Sequence, residues 1–105
     1  MKQVKFIGTS LHDLKKFPEK VRQRAGYQIL KVQKGEEPGD WKPVNSIGPG
    51  VKEIRIHFKN EYRVIYTAKF KDAVYVLHVF HKKTQKIQKR DLDLASQRYN
   101  FILNR

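Results

Sequence analysis

The sequence predicts a small α+β domain, one antiparallel sheet with two helices before it and one after it. Three observations carry that prediction. Apolar residues recur at helical spacing through Val21, Ala25, Ile29 and Val32. The period changes to two through Ile54, Ile56 and Phe58. It returns to helical spacing through Leu92, Ala95, Tyr99 and Ile102. A length of 105 residues fits a single domain spanning 1–105.

Taken in order, Val4, Phe6 and Ile7 make a short first strand in KQVKFIG. Ser10 and Asp13 have the spacing of a capping box, so a short helix is expected to start near Leu11, with Leu11, Leu14 and Phe17 apolar. Pro18 cannot continue that helix but suits the first turn of the next. The second helix runs from Pro18 and stops near Gly35. GEEPGDWKPVNSIGPG is rich in Gly and Pro and reads as a loop, with Trp41 as a core anchor beneath it or, less simply, a platform for a nucleotide. In VKEIRIHF, Glu53, Arg55 and His57 point opposite to the apolar set. Lys59 and Asn60 turn the chain into EYRVIYTAKF, and Lys71 and Asp72 turn it into AVYVLHVF, which is apolar on both faces and belongs mid-sheet. Tight turns make these three an antiparallel meander. Asp91 and Asp93 open the last helix, where they complement its dipole.

Charge narrows the function. Lys plus Arg number 23 against 10 acidic residues, a formal +13. Such self-repulsion is relieved by a polyanion, RNA or DNA first, then an acidic protein or an anionic membrane surface. A generically basic surface is the plain alternative. With no cysteine, disulfides and thiolate metal sites are excluded. The start, MKQVKF, lacks the pattern of a signal peptide, and no apolar run approaches the ~20 residues of a membrane span. A cytoplasmic protein that engages no membrane is expected.

The two helices, the loop ending GPGVKEIRI, the strand EYRVIY and the segment FHKKTQK after the third strand together resemble the RelE/ParE superfamily of toxins, and the phage-derived HigB-like branch in particular. The resemblance covers nearly the whole chain. It implies the toxin of a type II toxin–antitoxin pair: a metal-independent endoribonuclease that cleaves mRNA on the ribosome without a cofactor. The 2′-hydroxyl attacks the adjacent phosphate and leaves a 2′,3′-cyclic phosphate. The implied partners are a HigA-like helix-turn-helix antitoxin, the ribosome and mRNA. ParE-like members share the fold but inhibit gyrase, so fold alone does not fix the chemistry. A non-catalytic nucleic-acid-binding module is a further alternative.

Without a metal, Arg and Lys must stabilise charge on the phosphorane, and a planar guanidinium can bind two of its oxygens. Arg55 and Arg63 are symmetric about the turn at Lys59 and are expected as cross-strand neighbours, each otherwise paired with Glu53 or Glu61. The resemblance adds that arginines at such positions contact the scissile phosphate. Lys82 and Lys83 are expected near Arg63 to bind and polarise the phosphate, and a lysine of lowered pKa can also move a proton. Their plain reading is a charged strand end. His81, in the basic block at the strand end, is a candidate acid or base. His78 is expected to be packed, and His57 and His12 to be ordinary surface residues. Lys86, Lys89 and Arg90 are expected to clamp RNA backbone, with Tyr62 and Tyr66 as candidates to stack on bases or to pack. Glu53 and Glu61 are possible bases, and the residues choose neither.

Overall fold

A computed structural model describes residues 1–105. The elements run β1 (Gln3–Phe6), α1 (Ser10–Lys15), α2 (Glu19–Gln33), β2 (Trp41–Pro43), β3 (Val51–Phe58), β4 (Asn60–Thr67), β5 (Ala73–Lys82) and α3 (Lys89–Leu103). The strands form one sheet in the order β1-β5-β4-β3-β2. The expected meander is present, with β3 pairing β4 and β4 pairing β5, both antiparallel. The sheet as a whole is mixed, because β1 lies parallel to β5. That pairing joins the chain's start to its centre and has no local turn to announce it.

Helices cover both faces. On one, Leu14 of α1 and Val21, Ala25, Ile29 and Val32 of α2 pack on Ile54, Ile56, Val64, Val74 and Val76. On the other, Ala95, Tyr99 and Ile102 of α3 pack on Val51, Ile65, Tyr75 and Leu77. β5 is buried on both sides, which explains its continuous apolar run. Gly48 seats the β2–β3 loop against α3, where a Cβ would come within 2.5 Å of the Tyr99 ring.

Three local expectations change. Thr9, not Ser10, sits at the N-terminus of α1, where its Oγ1 donates to Asp13 Oδ2 at 2.8 Å. Ser10 is buried and its Oγ donates to the Val76 carbonyl at 3.2 Å. The Gly/Pro-rich stretch contains β2, a three-residue edge strand that pairs Trp41 with Ile54. Trp41 is therefore a half-buried edge residue rather than a core anchor, with the Lys52 ammonium 4.3 Å from its ring centre.

One irregularity in β5 decides what the sheet presents. The β4–β5 register passes from Thr67↔Tyr75 and Tyr66↔Val76 to Ile65↔His78, leaving Leu77 as an extra residue. Such a bulge shifts the alternation of the residues beyond it. Before it, odd-numbered residues such as Tyr75 face α3. After it, His78, Phe80 and Lys82 do, and His81 turns to the α2 face.

Candidate active site

α3 covers only part of its face of the sheet. Beyond its first turn, β3, β4 and β5 carry two cross-strand rows of mainly polar residues, of which Arg55, His57 and Glu61 reach solvent while Arg63 and Phe80 are buried. Arg55, Arg63 and Phe80 form one, and His57, Glu61 and Lys82 form the next. Arg55 and Arg63 are direct register partners, as their symmetry about Lys59 predicts. The tight turn is possible because Lys59 takes a positive φ of 62°.

Two arginines placed opposite each other repel unless anions intervene. Asp40, in the loop before β2, supplies one. Its Oδ1 accepts from Arg55 Nε at 2.9 Å and from Nη2 at 2.8 Å. The Asp40 carbonyl accepts from the Arg55 backbone N–H at 2.8 Å, so loop and strand are tied twice. Glu61 supplies the other, accepting from Arg63 Nη1 at 3.2 Å, while the same nitrogen donates to the Tyr62 carbonyl at 2.9 Å. Arg63 is only 4% exposed and its Nε has no hydrogen-bond partner.

His57 joins the two anions. As imidazolium it donates from Nε2 to Asp40 Oδ2 at 2.8 Å and from Nδ1 to Glu61 Oε1 at 2.7 Å. The Glu61 hydrogen bond, followed by that to Asp40, raises its pKa above the ordinary histidine value. At Asp40, burial pushes the pKa upward, but bonds to His57 and Arg55 outweigh it and the net shift is downward. At Glu61 the His57 bond leads a similar lowering. His57 is thus a central member of the polar face and not the ordinary surface residue that the sequence suggests. Its symmetry with Glu61 about Lys59 is a usable signal. Nothing in the sequence points to Asp40, which a loop brings in from 15 residues upstream of Arg55.

Lys82 shares this face opposite Glu61. Burial, with the nearby Arg63 charge second, lowers its pKa. Lys83 lies past the end of β5 and is exposed, so the expected convergence involves Arg55, Arg63 and Lys82 but not a lysine pair. Glu53 is fully buried beside this surface, with Lys42 Nζ 3.5 Å from its Oε1 and neither carboxylate oxygen hydrogen-bonded. Of the two carboxylates considered as bases, Glu61 is therefore the one that reaches solvent and Glu53 the one that does not.

Three expected residues lie elsewhere. His81 is the register partner of Tyr62 and stacks on it, with ring centres 5.0 Å apart, on the α2 face away from both arginines. Tyr62 and Tyr66 are 6% and 2% exposed within the α1/α2 core, so neither has a face free for a base. The Leu77 bulge and strand alternation account for all three placements. His78 is packed as expected, donating from Nε2 to Asp91 Oδ1 at 2.7 Å and stacked on Phe80. This bond pins the start of α3 to β5. Of the basic block, Lys86 is exposed beside Lys82, Lys89 pairs with Asp93 at 2.9 Å, and Arg90 is exposed in the first turn of α3. No group of three or more His, Asp or Glu side chains is arranged to hold a metal ion.

A five-stranded mixed sheet between helices defines the class: the chain has the RelE fold. It superposes on a solved structure of the Escherichia coli toxin RelE, a double arginine-to-alanine mutant in the free state, with a TM-score of 0.66 over 96% of this chain and 97% of that one, at 16% identity. By sequence, residues 12–100 match the family described as Phage derived protein Gp49-like (DUF891), and the chain belongs to that family. No curated protein matches it by sequence.

Proposed function

We propose that this protein is the toxin of a type II toxin–antitoxin pair and that it cleaves mRNA on the ribosome, held in check by a HigA-like helix-turn-helix antitoxin. Its site of action is then the cytoplasm. The observation that carries this reading is the direct opposition of Arg55 and Arg63 across β3 and β4, beside the solvent-exposed His57 and Glu61. Membership of a phage-derived family and the fold shared with a toxin support it.

The phosphodiester settles over Arg63 and Glu61, and its non-bridging oxygens take the guanidinium donors now shared with Asp40 and Glu61. His57 and Lys82 flank Glu61 on either side, one strand spacing of about 4.8 Å each way. Their pKa values are displaced in opposite directions, His57 up and Lys82 down. That pairing suits an acid and a base on opposite sides of one phosphate. Lys82, in the fraction that its lowered pKa leaves deprotonated, accepts the 2′-hydroxyl proton as the 2′-oxygen bonds to phosphorus. The phosphorus–5′-oxygen bond breaks, and imidazolium His57 donates its proton to the departing oxygen. The arginines hold the charge that accumulates between these events.

Induction without antitoxin tests the reading. Translation should stop, and mapped transcripts should carry cuts within codons at the ribosomal A site. Intact transcripts accompanied by a DNA-damage response would replace it with gyrase inhibition. Intact transcripts with salt-sensitive RNA binding would leave a binding module.

A further inference from the structure

The positive charge on the polar face is unevenly compensated. Around Arg55, Arg63 and His57, two carboxylates already accept from all three side chains, although Arg63 Nε is left without a partner. On the other side of Lys82, a hollow of about 350 Å³ opens between the β2–β3 loop and the segment joining β5 to α3. Lys42, Lys82 and Lys86 stand around it. Two acidic groups neighbour them: Glu61, the register partner of Lys82 and already bonded to His57 and Arg63, and Glu53, fully buried, unbonded through both oxygens and 3.5 Å from Lys42.

The rest of the lining is chemically mixed. Ile87 and Leu92 supply an aliphatic wall, while Asn45 and Gln85 bring side-chain amides. The volume sits at the lower end of the ~300–1,000 Å³ typical of small-molecule pockets. Lysines suit phosphate as point charges. Apolar walls suit the faces of an unstacked base, and amides can both donate to and accept from its edge. A bare anion would need only the lysines.

We propose that this hollow holds one nucleotide of single-stranded RNA next to the scissile phosphate, with its phosphate on Lys42 and Lys86 and its base between the aliphatic wall and the Asn45 and Gln85 amides. The assignment as a subsite rests on the nuclease reading, because Lys82 borders both places. It makes Asn45 and Gln85 determinants of base preference, a role distinct from chemistry at Arg55, Arg63 and His57. Backbone contacts position RNA, while contacts to base edges discriminate.

The test is a titration of the ¹⁵N-labelled full chain with adenosine 3′,5′-bisphosphate and, separately, with inorganic phosphate, followed by NMR. The bisphosphate should move the Asn45 and Gln85 side-chain amide signals and saturate at a concentration at least about fivefold lower than phosphate, the minimum expected for a base worth ~1–3 kcal/mol. Ser46→Trp, at an exposed position on the rim, should abolish that advantage while leaving phosphate binding unchanged. Equal affinities for the two probes, or shifts confined to Arg55 and His57, would overturn the base pocket. Gln85→Ala should redistribute cut sites among codons, and an unchanged map would also count against it. Uncleaved transcripts would remove the nuclease reading while leaving nucleotide binding in the hollow measurable, so the two can fail separately.

Discussion

Arg55 and Arg63 face each other across β3 and β4, yet each bonds a carboxylate rather than standing free. Asp40 holds the first, Glu61 holds the second, and His57 bonds both carboxylates. In the free protein both arginines are therefore already paired with internal anions, with the buried Arg63 Nε left unbonded. A phosphodiester must exchange with them rather than enter an empty seat, which makes the occupancy of this face dependent on charge and on pH.

If Asp40 competes with phosphate, Asp40→Asn should strengthen RNA binding. An exposed ion pair is worth up to ~1 kcal/mol, so the gain should reach about fivefold at low salt. Filter binding with a short single-stranded RNA would measure it. Weaker binding in the variant would identify Asp40 as a support for the arginine and not as its competitor.

The planar fork, beyond its charge, is what the mechanism requires. Arg63→Lys keeps the cation but loses two-point contact, and cleavage of ribosome-bound mRNA should drop by about 10²–10³-fold. Arg55→Lys should act in the same direction. Circular dichroism would establish that the variants fold, since Arg63 also bonds the Tyr62 carbonyl. Wild-type cutting by both lysine variants would rule out bidentate binding.

The pH dependence of stability has a defined sign. His57 has a raised pKa in the folded chain, so its bonds to Asp40 and Glu61 contribute fully below the unfolded value near ~6.5 and fade as pH rises through the folded value. Asp40 and Glu61 behave oppositely, contributing above the carboxylate range and losing their effect as pH falls through their lowered values. Thermal melting of wild type minus His57→Gln should show a difference that shrinks from about pH 6 to pH 8. A difference that is flat or grows across that window would mean His57 is not held as imidazolium.

The two sheet faces should respond differently. His81 stacks on Tyr62 away from the arginines. His81→Ala should leave mRNA cleavage within about threefold of wild type, as for a surface change worth ~0.5 kcal/mol. His57→Gln should lower cleavage and remove the alkaline limb of the pH profile. A large loss on His81→Ala alone would reverse the assignment of the proton donor.

Leu77 is both the bulged residue of β5 and fully buried in the α3 core. Leu77→Ala should cost about 2–5 kcal/mol in urea denaturation. A cost below ~1 kcal/mol would mean that the site collapses around the smaller side chain.

Several features could be read directly from residue order. The periodicity of Val21, Ala25, Ile29 and Val32 marks a buried helix face, and all four are buried. The alternation in VKEIRIHF and EYRVIY, with a turn at Lys59, sets the Arg55–Arg63 register by simple symmetry. Those are local relations, resolved within one element or one hairpin, where spacing along the chain maps directly onto spacing in space.

Other features depend on where distant segments meet. Asp40 reaches Arg55 and His57 from a loop, and β1 finds β5 across almost 70 residues. The bulge at Leu77 turns Lys82 toward the arginines and His81 away from them, although both are cationic candidates side by side in FHKK. Residue order alone thus determined every element but the short edge strand β2, together with the arginine pair and the basic character of the chain. The tertiary structure decided which histidine joins the site, which lysine accompanies it and which carboxylates neutralise it, because one unpaired residue in a strand reverses the direction of every side chain after it.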